Sequence, residues 1–249
     1  LDLNVGDEII TTPRTFIATS SSAVLLGLKP VFVDVDINSG NITADNIEPA
    51  INKKTKAIVV VHLAGWPAEM DRICELARKN GLYIIEDCSQ AHGAKINGIS
   101  VGGFGDVATW SFCQDKILST GGEGGMITTS NKKIAEFISS WRDHGKDIKK
   151  MLETKKSKTF SYIHNNLGLN YRMTEIQSKI GELQLKKLPE WHLKRKNNAL
   201  ALFNSLKHLN MIRIPMPESP FEHAWYKFYA YLRSESLADG WSRERIIFE

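Results

Sequence analysis

Two stretches of the sequence place chemically active side chains directly after runs of apolar residues. The first reads Ile84-Ile85-Glu86-Asp87-Cys88-Ser89-Gln90-Ala91-His92-Gly93-Ala94, with an acid closing a strand-like run. The second reads Ser111-Phe112-Cys113-Gln114-Asp115-Lys116, followed by Gly121-Gly122-Glu123-Gly124-Gly125. A carboxylate and a primary amine supply proton transfer and addition to a carbonyl carbon. Singly, each has an ordinary explanation: Asp87 as a helix cap or ion-pair partner, Lys116 as a surface lysine, and the glycine run as a turn or a close approach of backbone to a ligand. The glycines match neither GxxxxGKS/T nor GxGxxG, which speaks against a nucleotide loop and against a nicotinamide dehydrogenase.

The surrounding pattern decides where such residues sit. Glu8 to Thr12, Val31 to Val35, Ala57 to His62, Leu82 to Glu86 and Asp106 to Phe112 read as strands, separated by amphipathic stretches Phe16 to Leu28, Ala44 to Ile51 and Ala68 to Asn80 of helical length. Val31-Phe32-Val33 and Ile58-Val59-Val60-Val61 are apolar on both faces, as in strands covered by helices on each side. The alternation predicts an α/β domain, three layers deep around a largely parallel sheet. Ligands of such sheets bind at the carboxyl ends of the strands, where both stretches fall. Pro67 fits a first-turn proline and Gly81 a C-terminal cap. Beyond Thr129 the pattern turns helical, over Thr174 to Lys187 and Pro189 to Leu206, and ends in a strand-like Tyr226 to Arg233. The expected division is a large domain over 1–214 and, from the Pro215 to Pro220 linker onward, the start of a smaller C-terminal domain over 215–249.

Composition sets bounds. The chain has 249 residues, 42% hydrophobic and 24% charged, enough for one substantial core. Its net charge of +4 is spread along the sequence, which argues against nucleic acid; the densest basic run, Lys155-Lys156-Ser157-Lys158, reads as a solvated loop. Cys74, Cys88 and Cys113 are odd in number and lack CxxC spacing, so neither a disulfide framework nor a metal site is expected, and the cytoplasm fits best. No apolar run reaches the ~18 residues of a membrane span, and Leu1 to Asp7 lack the features of a signal peptide. Because Leu1 is not Met and a strand follows almost at once, sequence upstream of Leu1 is expected to be missing.

Together the motifs are far more specific than apart. Glu86 to Ala94, Ser111-Phe112 five residues before Lys116, Gly122-Glu123-Gly124-Gly125 and Asn170-Tyr171-Arg172-Met173-Thr174-Glu175 occur in one order. Upstream stand Gly6 to Ile10 with Pro13, Thr15 and Phe16, and Pro30 to Asp36. Across nearly its whole length the chain resembles the fold-type I sugar aminotransferases of the DegT/StrS family, which depend on pyridoxal 5′-phosphate (PLP).

The resemblance implies roles for particular residues. Lys116 would bind PLP covalently and then carry the proton in transamination; burial near a cationic cofactor is expected to depress its pKa. Asp87 would pair with the pyridine nitrogen and keep it protonated. Gln90 would contact the side of the ring bearing the phenolic oxygen, Ser111 the phosphate, and Phe16 the ring face. Asn170, or Arg172 close by, would reach the phosphate of a neighbouring subunit in a homodimer, and His92 and His144 could line the pocket or be structural. The implied reaction moves an amino group from glutamate or glutamine to a keto-sugar, nucleotide-linked, or to a keto-cyclitol, with the cofactor alternating between PLP and its amino form, PMP. A family minority that dehydrates sugars carries histidine where Lys116 stands. Rival readings are another PLP-dependent activity, such as an amino-acid lyase, and a non-catalytic sensor or scaffold. The family's phosphate-cradling loop falls before Leu1, so the chain alone is expected to hold PLP weakly.

Overall fold

A computed structural model describes residues 1–150 and 163–249; the basic run at 155–158 lies outside the described residues. The central sheet has six strands: β1 (Glu8–Thr11), β2 (Lys29–Phe32), β3 (Thr55–Val61), β4 (Tyr83–Asp87), β7 (Val107–Ser111) and β8 (Gly125–Thr128). Their order is β2-β1-β3-β4-β7-β8, parallel except for the antiparallel pairing of β7 with β8. The chain leaves β1 for the edge strand β2 and then returns to the other side of β1, so the order reverses there, the place where such sheets open a crevice at their carboxyl ends.

Successive strand residues face opposite sides of the sheet, and each side has its own core. On one face Ile10, Ile58, Val60 and Ile84 pack with Ile47 of α2 (Ala44–Ile47) and with Met70, Ile73 and Leu76 of α3 (Met70–Asn80). On the other, Ile9, Ala57 and Val59 pack with Ala23 of α1 (Ala18–Leu25) and Leu28. This is the three-layer α/β arrangement that the sequence pattern predicts. β3 is buried over all but one of its residues. β2 is not: it spans Lys29–Phe32 instead of reaching Val35, and Phe32 is 52% exposed because an edge strand has no neighbour beyond it.

Helix punctuation agrees in part. Gly81 caps α3 in the left-handed conformation, at φ +64°. Pro67 lies three residues before Met70, outside the helix whose first turn it was expected to open. α4 (Lys132–Trp141) follows β8, its first amides held by the Asn131 side chain. The segments read as two helices on either side of Pro189 form one, α5 (Glu175–Leu206), which opens on a capping box made by Thr174 and Gln177.

Short pairings complete the structure. β5 (Lys95–Ile96) and β6 (Ile99–Ser100) form a hairpin joined by β10 (Phe221–Glu222), and β9 (Ile212–Arg213) pairs with β11 (Tyr231–Leu232). Of the strand expected over Tyr226 to Arg233, only Tyr231 and Leu232 pair. The stretch around Ala224 packs onto the large sheet's loops, Ala224 donating its amide to the Gly65 carbonyl. α6 (Arg243–Phe248) ends the chain.

Candidate active site

The carboxyl end of β4 is tightly specified. Asp87 pairs in register with Val61 of β3 and Thr109 of β7, between two parallel neighbours. One carboxylate oxygen accepts the Thr19 hydroxyl at 2.8 Å and the other the Ser89 amide at 3.1 Å. Thr15 lies 2.8 Å from Thr19, oxygen to oxygen, so the start of α1 is tied to the acid. Directly before Asp87, the fully buried Glu86 points to the other side. Its oxygens accept the amides of Gly102, Phe104 and Gly105 at 2.7, 2.8 and 2.7 Å, and His62 Nε2 lies 3.1 Å away. His62 Nδ1 accepts the Ala68 amide, which puts the ring proton on Nε2, facing Glu86. Burial pushes the Glu86 pKa up, and these donors outweigh it, so the group stays below the usual carboxylate range.

His62, Glu86 and Cys88 bring potential metal-ligating atoms within 4.8 Å of one another. The hydrogen bonds already engage both His62 nitrogens and both Glu86 oxygens, and burial pushes the Cys88 thiol well up. The cluster is a structural joint tying β3 and β4 to the turn that launches β7.

The carboxyl end of β7 is built differently. Ser111 closes the strand, its hydroxyl accepting the Cys113 amide at 3.3 Å, and Lys116 follows in the loop, its side chain 15% exposed. The Lys116 amine lies 3.4 Å from the Tyr226 hydroxyl and 3.4 Å from an Asp115 oxygen, while Tyr226 donates to the other Asp115 oxygen at 2.6 Å. Burial lowers the Lys116 pKa, and Tyr226 and Asp115 more than reverse it, so the group stands above the ordinary lysine range. That is the opposite of the depression expected beside a cationic cofactor; the facing groups in this chain are an acid and a phenol. Asp115 is correspondingly drawn down to about 2, chiefly by the Tyr226 hydroxyl.

α5 supports the loop beyond Lys116. Gln184 accepts the Ser119 amide at 2.8 Å and Gln177 donates to the Glu123 carbonyl at 2.8 Å. The glycine run is explained partly from within, because a Cβ at Gly124 would stand 2.2 Å from the Thr120 hydroxyl.

The remaining candidates scatter. Phe16, 69% exposed, sits just before α1 and leaves an apolar side chain open at the carboxyl side of β1. Gln90 accepts the Ala64 amide at 2.7 Å and so fixes the loop after β3. Asn170 is exposed, its backbone bridged to Asp143, and it makes no hydrogen bond to the other five candidates among the described residues. Arg172 pairs with the Asp143 carboxylate. His144 is exposed at φ +60°, away from the strand ends. His92 is buried between Trp110 and Phe112, at ring distances of 5.5 and 5.9 Å, and among the described residues neither nitrogen has a partner in hydrogen-bond geometry. Burial lowers its pKa to about 4, and the Ser111 backbone offsets this only in part.

Thr19, Asp115 and Tyr226 were not anticipated as site residues. Thr19 carried a weak signal, a hydroxyl one turn after Thr15 on a helix leaving a strand end. Tyr226 carried none, since its contact spans 110 residues of sequence.

The sequence profile of the DegT/DnrJ/EryC1/StrS aminotransferase family matches residues 1–247. The chain belongs to this family. A solved aminotransferase from Psychrobacter cryohalolentis superposes with a TM-score of 0.95 at 47% identity, covering 100% of the chain and 65% of that structure. A UDP-N-acetyl-3-dehydro-alpha-D-glucosamine 3-aminotransferase from Acidithiobacillus ferrooxidans is 37% identical over 94% of the chain and 60% of its own length. NtdA from Bacillus subtilis, crystallised with the cofactor PMP, superposes at a TM-score of 0.79 with 28% identity, over 94% of the chain and 51% of that structure. The chain spans about 60% of the length of the curated relatives it matches first. No helix among the described residues is long and apolar enough to cross a membrane.

Proposed function

We propose that the protein is a PLP-dependent aminotransferase that moves an amino group from glutamate or glutamine to a keto-sugar, nucleotide-linked, or to a keto-cyclitol. The observation that carries this reading is a sheltered primary amine, Lys116, in the loop just beyond β7, and a carboxylate, Asp87, at the carboxyl end of the neighbouring strand β4. The donor set fits PLP: an amine for the aldehyde carbon, an acid for the ring nitrogen, the Ser111 hydroxyl for the phosphate, and the bare Phe16 ring as a stacking face. The sugar acceptor rests on the substrate named for the A. ferrooxidans relative.

When bound, PLP supplies an electron sink for negative charge developing on the carbon next to the transferred nitrogen. The chain's own groups do the rest. Asp87, already oriented by Thr19 and Ser89, would hold a proton on the ring nitrogen. Lys116 Nζ would take the proton from the donor's carbon in one half of the reaction and return one to the acceptor's carbon in the other, so donor and acceptor would react in turn at one site. Gln90, which fixes the loop after β3, would contact the side of the ring bearing the phenolic oxygen. The protein acts as a cytoplasmic homodimer in which Asn170, exposed and remote from the strand ends, serves the partner's phosphate; 1–214 forms the large domain and 215–249 begins the small one.

Borohydride reduction of the PLP-loaded protein, followed by peptide mapping, should place the pyridoxyl group on Lys116, and glutamate with a nucleotide-linked keto-sugar should give 2-oxoglutarate and amino sugar. A label on another lysine sinks the site; a label on Lys116 with no amino transfer to any keto-sugar sinks the substrate class.

A further inference from the structure

The Lys116 amine is met by polar groups from two parts of the chain. It meets Tyr226, which arrives from the C-terminal stretch, and Asp115, its own neighbour in the chain. Those two are joined by the 2.6 Å hydrogen bond from the Tyr226 hydroxyl to Asp115 Oδ2. The three polar groups close a triangle, and the amine also lies 5.2 Å from the centre of the Tyr226 ring. An ammonium ion gains from all of these contacts, whereas a neutral amine gains little.

We propose that Tyr226 and Asp115 form a resting place for the Lys116 amine, holding it with its proton whenever it is not bonded to the cofactor. The inference rests on Lys116 being the cofactor lysine. In amino transfer the lysine must be released and later re-engaged, so it needs a defined position between the two events. A long side chain left in solvent loses the geometry that makes proton delivery fast. Re-engagement requires the ammonium to give up one proton before its lone pair can displace the product amine from the carbon–nitrogen double bond, and the couple sets the pH at which it does so. Both residues are positioning residues in this role.

The other charged and titratable groups around the triangle do not substitute for it. His92, on the turn after β4, is neutral at physiological pH with its pKa at about 4. Lys227 lies over the same Tyr226 ring at 5.5 Å and competes for it instead of holding Lys116. Cys113 is engaged with Glu123 at 3.3 Å. Asp115 is thus the sole acid paired with the amine among the described residues. Its side chain is 59% exposed, which limits the effect of removing it to that of a surface ion pair.

The test is trace labelling of the cofactor-free full chain with acetic anhydride from pH 7 to 11, the acetylated fraction of Lys116 being read by peptide mass spectrometry. Acetylation needs the unprotonated amine, so its pH profile reports the proton on Nζ with no cofactor and no catalysis. Asp115→Asn and Tyr226→Phe should each move the Lys116 profile to lower pH and speed labelling at pH 8 by about threefold to fivefold. Lys29, on the edge strand, serves as reference in the same digest and should not move. Unchanged or upward-shifted Lys116 profiles, or a shift in only one variant, overturn the resting place. Because PLP is absent from this experiment, its outcome is independent of whether the pyridoxyl group maps to Lys116.

Discussion

The carboxyl ends of β4 and β7 lie side by side, yet they are held by opposite means. At β4, Glu86 and Asp87 stand between two parallel strands, and each carboxylate oxygen accepts from a backbone amide or a side chain fixed by the core. At β7, Lys116 lies five residues past the strand end, and what holds it is one exposed acid and one tyrosine from 110 residues further along. Under the proposed function, the acid would have to stay fixed to keep a ring nitrogen protonated, whereas the amine would have to move, and the rigid and the lightly held end suit those two demands.

The sharpest way to break this contrast is to weaken each side and compare stabilities. Glu86→Ala leaves the amides of Gly102, Phe104 and Gly105 and the His62 N–H without this acceptor, and is expected to cost about 3 to 5 kcal/mol in denaturant unfolding. Asp115→Ala removes an exposed acid and should cost less than about 0.5 kcal/mol. Equal losses at the two positions would erase the distinction. Asp87→Asn separates function from stability at the rigid end. It keeps the shape, with Oδ1 still accepting the Ser89 amide and Nδ2 now donating to the Thr19 hydroxyl, and should lower amino transfer by about a hundredfold or more. A rate within threefold of the parent refutes the role assigned to Asp87.

A smaller effect lies in acid. His92 is buried neutral with its pKa lowered to about 4 from the ordinary 6.5, chiefly by burial. A histidine whose folded pKa is depressed leaves stability intact above its unfolded value and takes it away as pH falls from about 6.5 toward 4, because the unfolded chain binds the proton first. His92→Leu should remove about 2 to 3 kcal/mol of the loss across that window. His223, lowered to about 3 by burial, continues the loss in the variant, so the curve flattens without becoming level. Thermal unfolding at pH 7 and at pH 4.5 reads the difference; an unaltered slope would place the titrating group elsewhere.

The sheet was legible because buried parallel strands announce themselves as unbroken apolar runs, and β3 is nearly as buried as its sequence promised. β8 was not, since Gly125-Met126-Ile127-Thr128 is four residues long, opens on glycine, and reads as the tail of a turn. The sequence pattern divides α5 into Thr174 to Lys187 and Pro189 to Leu206, and proline inside a helix removes a backbone hydrogen bond, yet the structure runs through it. Contacts on both sides of it, Gln184 to Ser119 before and His192 to the His223 carbonyl after, hold the two halves in line. At the site, Asp87 and Lys116 stood out as acid and amine at strand ends, whereas Tyr226 depends on how the C-terminal stretch folds back, which no local pattern encodes.

The long helix α5 has a consequence for how the site keeps its dimensions. Gln177 and Gln184, near its start, grip the loop that follows Lys116, and His192 and Arg195, further along, bond the carbonyls of His223 and Trp225, next to Tyr226. The interval from Gln177 to Arg195 is about 27 Å of helix at 1.5 Å per residue. One straightedge therefore gauges both the lysine's loop and the tyrosine that meets it. The acid on β4 is measured from the sheet, a separate datum, so the distance between lysine and acid is the one dimension that neither ruler fixes alone.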